Sequence, residues 1–380
     1  DTDGGTVKFT DVTASVAPGL TEIGLVSDAL WTDFNDDGET DLLLVGEWMP
    51  ITFFKNEEGQ FTNVTETVGP ENTKGWWNSL AAGDFDRDGD TDYVAGNLGL
   101  NTRFEASPTE PVRVHSKDFN EDGILDPIIS HYMQGTSYPA HGRRELTDNL
   151  PGMLARFPAN RIYAGASFEE AFTEEQLKGA HVEKAVRFET SYLENRKDGS
   201  FGLRALPMRV QTGPVFGMQT GDYNGDGHLD LLMVGNWYAP DRETGRADAF
   251  VGAFLRGDGT GHFTPVSYPK SGFLVGGDAK ALATVSTGAG APLLVATQNN
   301  DSLRVFTALR HRGKAIQVRP LDRYAMITLD GGATRKVELY YGSTYLSQSS
   351  RTLRIPPNAE KVVLHGLDGS RRVNVKTNDQ

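Results

Sequence analysis

One nine-residue phrase occurs four times in this chain of 380 residues. It reads Asp33-Phe-Asn35-Asp-Asp37-Gly38-Glu39-Thr-Asp41, Asp84-Phe-Asp86-Arg-Asp88-Gly89-Asp90-Thr-Asp92, Asp118-Phe-Asn120-Glu-Asp122-Gly123-Ile124-Leu-Asp126 and Asp222-Tyr-Asn224-Gly-Asp226-Gly227-His228-Leu-Asp230. Oxygen-bearing side chains stand at positions 1, 3, 5 and 9, and glycine stands at position 6. A hard cation such as calcium takes about six to eight oxygens, and glycine permits the sharp turn that gathers them. Side-chain ligands are therefore expected from Asp33, Asn35, Asp37 and Asp41; Asp84, Asp86, Asp88 and Asp92; Asp118, Asn120, Asp122 and Asp126; and Asp222, Asn224, Asp226 and Asp230. Glu39, Asp90, Ile124 and His228, at position 7, are expected to contribute backbone carbonyls.

A helix–loop–helix calcium site would close with a bidentate Glu at position 12. Here that position holds Leu44, Ala95, Ile129 and Met233. Each loop leads into a short apolar run, such as Leu42-Leu-Leu-Val45 or Leu231-Leu-Met-Val234. Runs of that length after a turn read as buried strands, so these are strand–loop–strand sites.

The loops also account for much of the charge. The chain carries −14 at neutral pH, and thirteen of the sixteen side chains at positions 1, 3, 5 and 9 are carboxylates. Four divalent ions would bring the balance to about −6. No basic stripe appears, which disfavours a nucleic-acid partner. There is no cysteine, so metal would have to do the cross-linking that disulfides do in small secreted domains. Loops lacking a closing Glu are modest binders, suited to the high calcium outside cells. No run of about 18 apolar residues offers a membrane-spanning helix. No signal peptide is visible at Asp1, and the abrupt start is expected to fall inside a longer protein.

The loops mark a larger repeat. Each is preceded by a strand-like segment, among them Ala29–Thr32, Ser79–Ala82, Val112–His115 and Gly217–Thr220, and leads into an apolar strand. Hairpins ending in an aromatic come later, at Phe53 to Phe61, Tyr192 to Phe201 and Phe254 to Phe263, and Asp1 to Val12 looks like the tail of another. The loops start 51, 34 and 104 residues apart. Four short strands per unit at such periods imply an all-β fold, a β-propeller of four-stranded blades. A fifth unit, from Gly276 through Leu293–Ala296 to Phe306, keeps the strands and has lost the loop. Asp278 stands alone there and is expected to hold no metal.

The long gap carries helical signals between about 142 and 188, including Thr173 as a helix cap with Gln176 completing a capping box. It is expected to be a helical insertion on the propeller. From Gly313 onward come five strand-like runs (325–329, 336–341, 351–355, 361–365 and 371–375) separated by Gly, Asn and Pro turns. The expected division is a propeller over 1–310 and a small C-terminal antiparallel β domain over 313–376.

These loops resemble the FG-GAP or VCBS propeller repeats shared with integrin α-chains. The tail, with Lys336-Val-Glu-Leu-Tyr-Tyr-Gly342 and Gln348-Ser-Ser-Arg351, resembles the ASPIC/UnbV module of cartilage-acidic-protein-like proteins. Gly46-Glu-Trp-Met-Pro50, Gly75-Trp-Trp-Asn78, Gly96-Asn-Leu-Gly-Leu-Asn101, Phe172–Leu177 and Gly277–Leu282 resemble long bacterial VCBS-repeat proteins. That resemblance covers nearly all of the chain. It implies a C-terminal part of a longer surface lipoprotein, located at the bacterial outer membrane and found beside transporters of the TonB-dependent type. It implies about four calcium ions, and as partners a transporter complex, another surface protein or a polysaccharide.

No catalytic constellation stands out. His-Glu-x-x-His, Gly-x-Ser-x-Gly and a phosphate-cradling loop are absent. His131 and His141, with Tyr132, Tyr138, Arg143 and Arg144, form the one stretch able to handle a polyanion. Trp48 and Trp237 occupy matching places after their strands and are expected to pack between blades. Trp76 and Trp77 are the better surface candidates for stacking on sugar rings or a partner. The sequence is therefore read as a non-enzymatic, calcium-stabilised extracellular binding or scaffold propeller. The alternatives are a polysaccharide-active enzyme such as a lyase, and a protein-adhesion module.

Overall fold

The computed structural model describes residues 2–3, 6–7, 9–240, 244–287, 291–307, 313–342 and 345–375. Asp1, Gly4, Gly5 and Lys8 of the N-terminal hairpin, Ser343 and Thr344 of the tail, and residues 308–310 and 376 at the expected domain bounds lie outside them. The described pieces of that hairpin pair as Thr2↔Val7 and Asp3↔Thr6, a two-stranded sheet of its own.

The chain is all-β, built of several antiparallel sheets. The first runs Leu25–Thr32, Asp41–Met49, Thr52–Glu57, Gln60–Asn63 as a meander. Its third and fourth strands are joined by Glu58 and Gly59, both at positive φ (53° and 86°), the two-residue turn that matches strand twist. Its second strand is buried along both faces, which is why it reads as a continuous apolar run rather than an alternating one. The same holds for Asp92–Gly96 and Asp230–Gly235, the strands after loops two and four. Val215–Gly221, Asp230–Gly235, Ala253–Gly257 and Phe263–Val266 repeat the meander, and Ala279–Val285, Leu293–Gln298 and Arg304–Thr307 repeat its first three strands.

The second sheet departs from the tandem order that the sequence led us to expect. Its strands are Ser79–Gly83, Asp92–Gly96, Ser191–Asn195 and Phe201–Ala205. The chain leaves this sheet after Gly96 and returns at Ser191, so everything between is nested inside one repeat. Loop three belongs to that insertion, on a sheet ordered Thr136–Pro139, Asp126–Met133, Val112–Lys117, His181–Ala185. The expected helices are present, from Arg143–Asn149 to Glu174–Leu177, and both Ser167 and Thr173 make capping boxes. The insertion is thus larger than the helical segment at 142–188 and holds a sheet as well as helices. Spacing alone cannot separate nested from tandem repeats. Tyr93 pairing with Leu193, both fully buried, decides the matter.

First strands of successive sheets pack side by side: Leu25–Thr32 on Ser79–Gly83, that strand on Val215–Gly221, and that one on Ala279–Val285. The approach is close enough to require glycine. A Cβ on Gly217 would stand 2.7 Å from the Leu282 nitrogen. Leu80 N–H donates to Asp28 Oδ2 at 2.8 Å across the first of these seams. Apolar clusters fill the spaces between sheets, one around Phe34, Phe53, Tyr93 and Phe201 and another around Phe85, Val94, Tyr192, Met218 and Leu255.

The C-terminal part forms a compact antiparallel unit. Asp322–Leu329 lies between Thr334–Glu338 and Ala359–Gly366, with Gly369–Val373 outermost, while Lys314–Gln317 pairs with Thr352–Ile355. Ala325, Ile327, Leu353, Ile355, Val362 and Leu364 make its core.

Trp77 corrects the surface reading made for it. Its side chain is fully buried among Leu43, Val45 and Leu80, and its indole N–H donates to the Thr73 carbonyl at 2.8 Å. Trp77→Ala should therefore cost about 3–5 kcal/mol in chemical denaturation, where a surface tryptophan would change almost nothing.

Candidate metal centre

The four loops share one conformation, and local hydrogen bonds explain why. The position-5 N–H donates to the position-3 side-chain oxygen: Asp37 to Asn35 (3.0 Å), Asp88 to Asp86 (3.2 Å), Asp122 to Asn120 (2.9 Å) and Asp226 to Asn224 (2.7 Å). The position-7 N–H donates to the position-5 carboxylate in the same way, at Glu39, Asp90, Ile124 and His228. These Asx turns curl the chain tightly. Position 6 is left-handed glycine, and position 4 is left-handed too, at Asp36, Arg87, Glu121 and Gly225. Gly225 is the only trace of that second requirement in the residue pattern.

Position 9 anchors the loop to its sheet. Asp92 accepts from Phe85 N–H at 3.1 Å and from Asn195 N–H at 2.9 Å, and Asp230 accepts from Tyr223 N–H at 3.0 Å and Gly257 N–H at 3.1 Å. Asp41 accepts from Asn56 N–H at 2.8 Å, with the Phe34 N–H directed at it as well. One carboxylate thus ties the loop's second residue to the end of the third strand. Asp41, Asp92 and Asp230 are fully buried.

What remains is a set of inward oxygens without protein partners. Asp84 is 1% exposed and Asp90 is 2% exposed, and neither oxygen of either has a hydrogen-bond partner. Asp33 Oδ1 and Asp41 Oδ2 are likewise unpaired. In loop two the ligand oxygens of Asp84, Asp86 and Asp88 lie within 4.8 Å of one another, as do those of Asp86, Asp90 and Asp92. Clustered, buried carboxylates of this kind fit a divalent cation: its charge cancels theirs, and its coordination uses the orphaned lone pairs.

Without a cation, burial pushes these groups up. Asp41, Asp92 and Asp230 rise to about 7 and Asp84 to about 6, in each case chiefly by desolvation. Asp86 rises to about 6 and Asp90 to about 8, by burial first and then by the facing Asp88. Asp88 moves the other way. Burial opposes this, but the Asp90 side chain, then the Asp90 N–H and the Lys197 ammonium, hold its carboxylate below its usual value.

Loops one, two and four lie together, and the C-terminal unit sits on them. Lys336, 5% exposed, brings its ammonium to Asp33 Oδ2 at 3.2 Å, to Glu338 Oε1 at 3.6 Å and into contact with Asp36. Burial opposes its charge, but Glu338, Asp36 and Asp33 outweigh that and hold it protonated. Glu338 in turn accepts from Thr32 Oγ1 at 2.7 Å and Asp33 N–H at 3.0 Å. Arg335, 4% exposed, donates to the Gly227 carbonyl of loop four at 2.5 Å and faces Asp84 and Asp222. The sequence pattern placed Lys336 and Glu338 in a strand of the ASPIC/UnbV-like tail and left Arg335 outside it, and marked none of the three as part of the site. A cavity of about 290 Å³ lies at this junction, lined in part by Leu30, Gln219, Thr284, Arg335, Glu338 and Ser349. Loop three stays apart, with Asn120 Nδ2 donating to the Asn149 carbonyl in the inserted helices at 3.0 Å and Ile124 exposed.

The other sequence candidates have structural partners. His141 accepts from Ile129 N–H and meets Glu145 at 2.8 Å, Arg143 donates to the Phe157 carbonyl, and His131 is buried against Phe104. Trp76 is half-buried and packs with Trp48 (5.1 Å) and Trp237 (6.0 Å), an aromatic cluster at the far ends of the second strands from the loops. The packing expected of Trp48 and Trp237 is therefore across sheets, with Trp76 between them.

Residues 33–95, spanning loops one and two, match the family described as FG-GAP-like repeat. Among curated proteins, none matches the sequence. Among solved structures, an exotype rhamnogalacturonan lyase, YesX, is 12% identical with a TM-score of 0.27, over 92% of this chain and 61% of that one. The V. cholerae biofilm matrix protein Bap1 is 12% identical with a TM-score of 0.19, over 93% of this chain and 48% of that one. The chain thus spans about half to three-fifths of the length of these two structures. Likenesses this slight carry no argument about either fold or activity.

The geometry can be tested in two ways. The ion-free folded state binds more protons than the unfolded chain between the usual carboxylate range and about pH 8, so its stability must fall as pH rises through that window. Melting in chelator should show Tm dropping steadily from about pH 5 to pH 8, and excess calcium should flatten the profile. Separately, Lys336→Met removes one partner from a buried ionic cluster and should cost about 3–5 kcal/mol, read by denaturation and by earlier proteolytic release of the C-terminal unit.

Proposed function

We propose that this chain is a calcium-stabilised β-propeller that serves as a non-enzymatic binding or scaffold module outside the cell. The observation that carries this reading is the set of buried, unpartnered carboxylate oxygens at the loops, above all Asp84 and Asp90. Such groups are costly unless a cation compensates them, and loops without a closing Glu suit the millimolar calcium found outside cells. The side-by-side first strands and the repeated meanders support blades set around an axis. In this reading all four loops bind calcium through the residues named for them. Residues 313–375 form an ASPIC/UnbV-like unit that seals the loop face.

The proposed setting is the bacterial outer-membrane surface, with a nutrient-transporter complex, another surface protein or a polysaccharide as partner. The half-buried Trp76 and Trp237 offer a stacking surface for sugar rings on the face away from the loops. The hydrogen bonds of His141 and Arg143 favour a structural role over the lyase alternative.

Calcium at a hundred times its Kd should add about 2.7 kcal/mol per site. Differential scanning calorimetry should therefore show Tm rising by several degrees on calcium addition to chelator-stripped protein. An unchanged Tm, with no calcium in the purified protein by elemental analysis, would overturn the proposal.

A further inference from the structure

Loop two alone carries a carboxylate side chain at every odd position: Asp84, Asp86, Asp88, Asp90 and Asp92. Its oxygens fall into two overlapping groups rather than one. Those of Asp84, Asp86 and Asp88 lie within 4.8 Å of one another, those of Asp86, Asp90 and Asp92 do so separately, and Asp86 belongs to both. Asp90 is the unexpected member. A site for one ion needs only the position-7 carbonyl, yet the Asp90 side chain is 2% exposed with both oxygens unpartnered. Glu39, at the same position in loop one, is exposed to solvent. A buried carboxylate must be compensated, by a cation or by a proton.

The charge count points the same way. Glu194 stands within electrostatic reach of Asp86, adding a sixth carboxylate. Against these stand Lys197, 3.3 Å from Asp88, and Arg335, which faces Asp84. Arg87 lies instead against the turn at Gly259. One divalent ion would leave two negative charges uncompensated in a partly buried space, whereas two ions cancel the excess.

We propose that loop two binds two divalent cations, one held by Asp84, Asp86 and Asp88 and the other by Asp86, Asp90 and Asp92, with Asp86 bridging. Backbone carbonyls and water complete the coordination, as hard cations permit. A shared carboxylate sets such pairs about 3.5–4 Å apart. The other loops have asparagine at position 3, so their charge suits a single ion. The inference rests on the reading of the loops as calcium sites and adds an ion to it.

Native mass spectrometry on the full chain, stripped with chelator and reloaded with calcium alone, counts the ions. Asp90→Asn should hold one ion fewer than the wild type, and so should Asp86→Asn, which gives loop two the asparagine that the single-ion loops carry. An Asp90→Asn or Asp86→Asn count equal to wild type overturns the two-ion centre while leaving the loop reading intact. A wild type that holds no calcium overturns both. Anomalous diffraction from terbium-loaded wild-type crystals gives an answer independent of how the variants fold. Two peaks flanking Asp86 support the proposal, and one peak refutes it.

Discussion

The carboxylates at the roots of the loops, Asp41, Asp92 and Asp230, set the terms for everything around them. Each is fully buried and accepts a backbone N–H from the end of the neighbouring third strand, and Asp92 and Asp230 accept one from the loop as well. They make the loop part of the sheet rather than an appendage. They also place acidic side chains where water cannot solvate them, and that desolvation creates the demand for cations. Geometry and charge are thus consequences of one placement.

The demand is met in part from within the chain. Side chains of the C-terminal unit supply part of it: Lys336 goes to loop one, and Arg335 lies between loops two and four. Those two residues are adjacent on one strand, so their side chains leave opposite faces and reach different loops. Glu338, two residues on, closes the network by accepting from Thr32 and Asp33. The unit is therefore held on the loop face by charge as well as by contact. The unpaired oxygens of Asp84 and Asp90 mark the part to which no side chain donates a hydrogen bond.

Much of the site was legible because its chemistry is local. The loop conformation depends on hydrogen bonds spanning two residues, from Asn35 to Asp37 or from Asp226 to His228, and these recur wherever the phrase recurs. The strands after the loops were equally plain, since burial on both faces forces an apolar run. The expectation for Trp77 failed because a tryptophan next to Gly75 and Asn78 looks like a loop residue. Only the packing of the first sheet shows it inside. Repeat order was also misjudged. A loop carries no record of which sheet its strands join, and loop three proved to belong to an inserted sheet.

The sequence by itself determined the loops, their clustered acidic side chains and the all-β character, because each of these depends on residues within a turn or a strand of one another. Tertiary structure alone decided that residues 97–190 nest inside the second sheet and that Arg335 and Lys336 face the acidic loops. It also decided that Asp90 points into a buried space. Those outcomes depend on contacts between segments tens to hundreds of residues apart, where the energy lies in desolvation and charge pairing that no local pattern records.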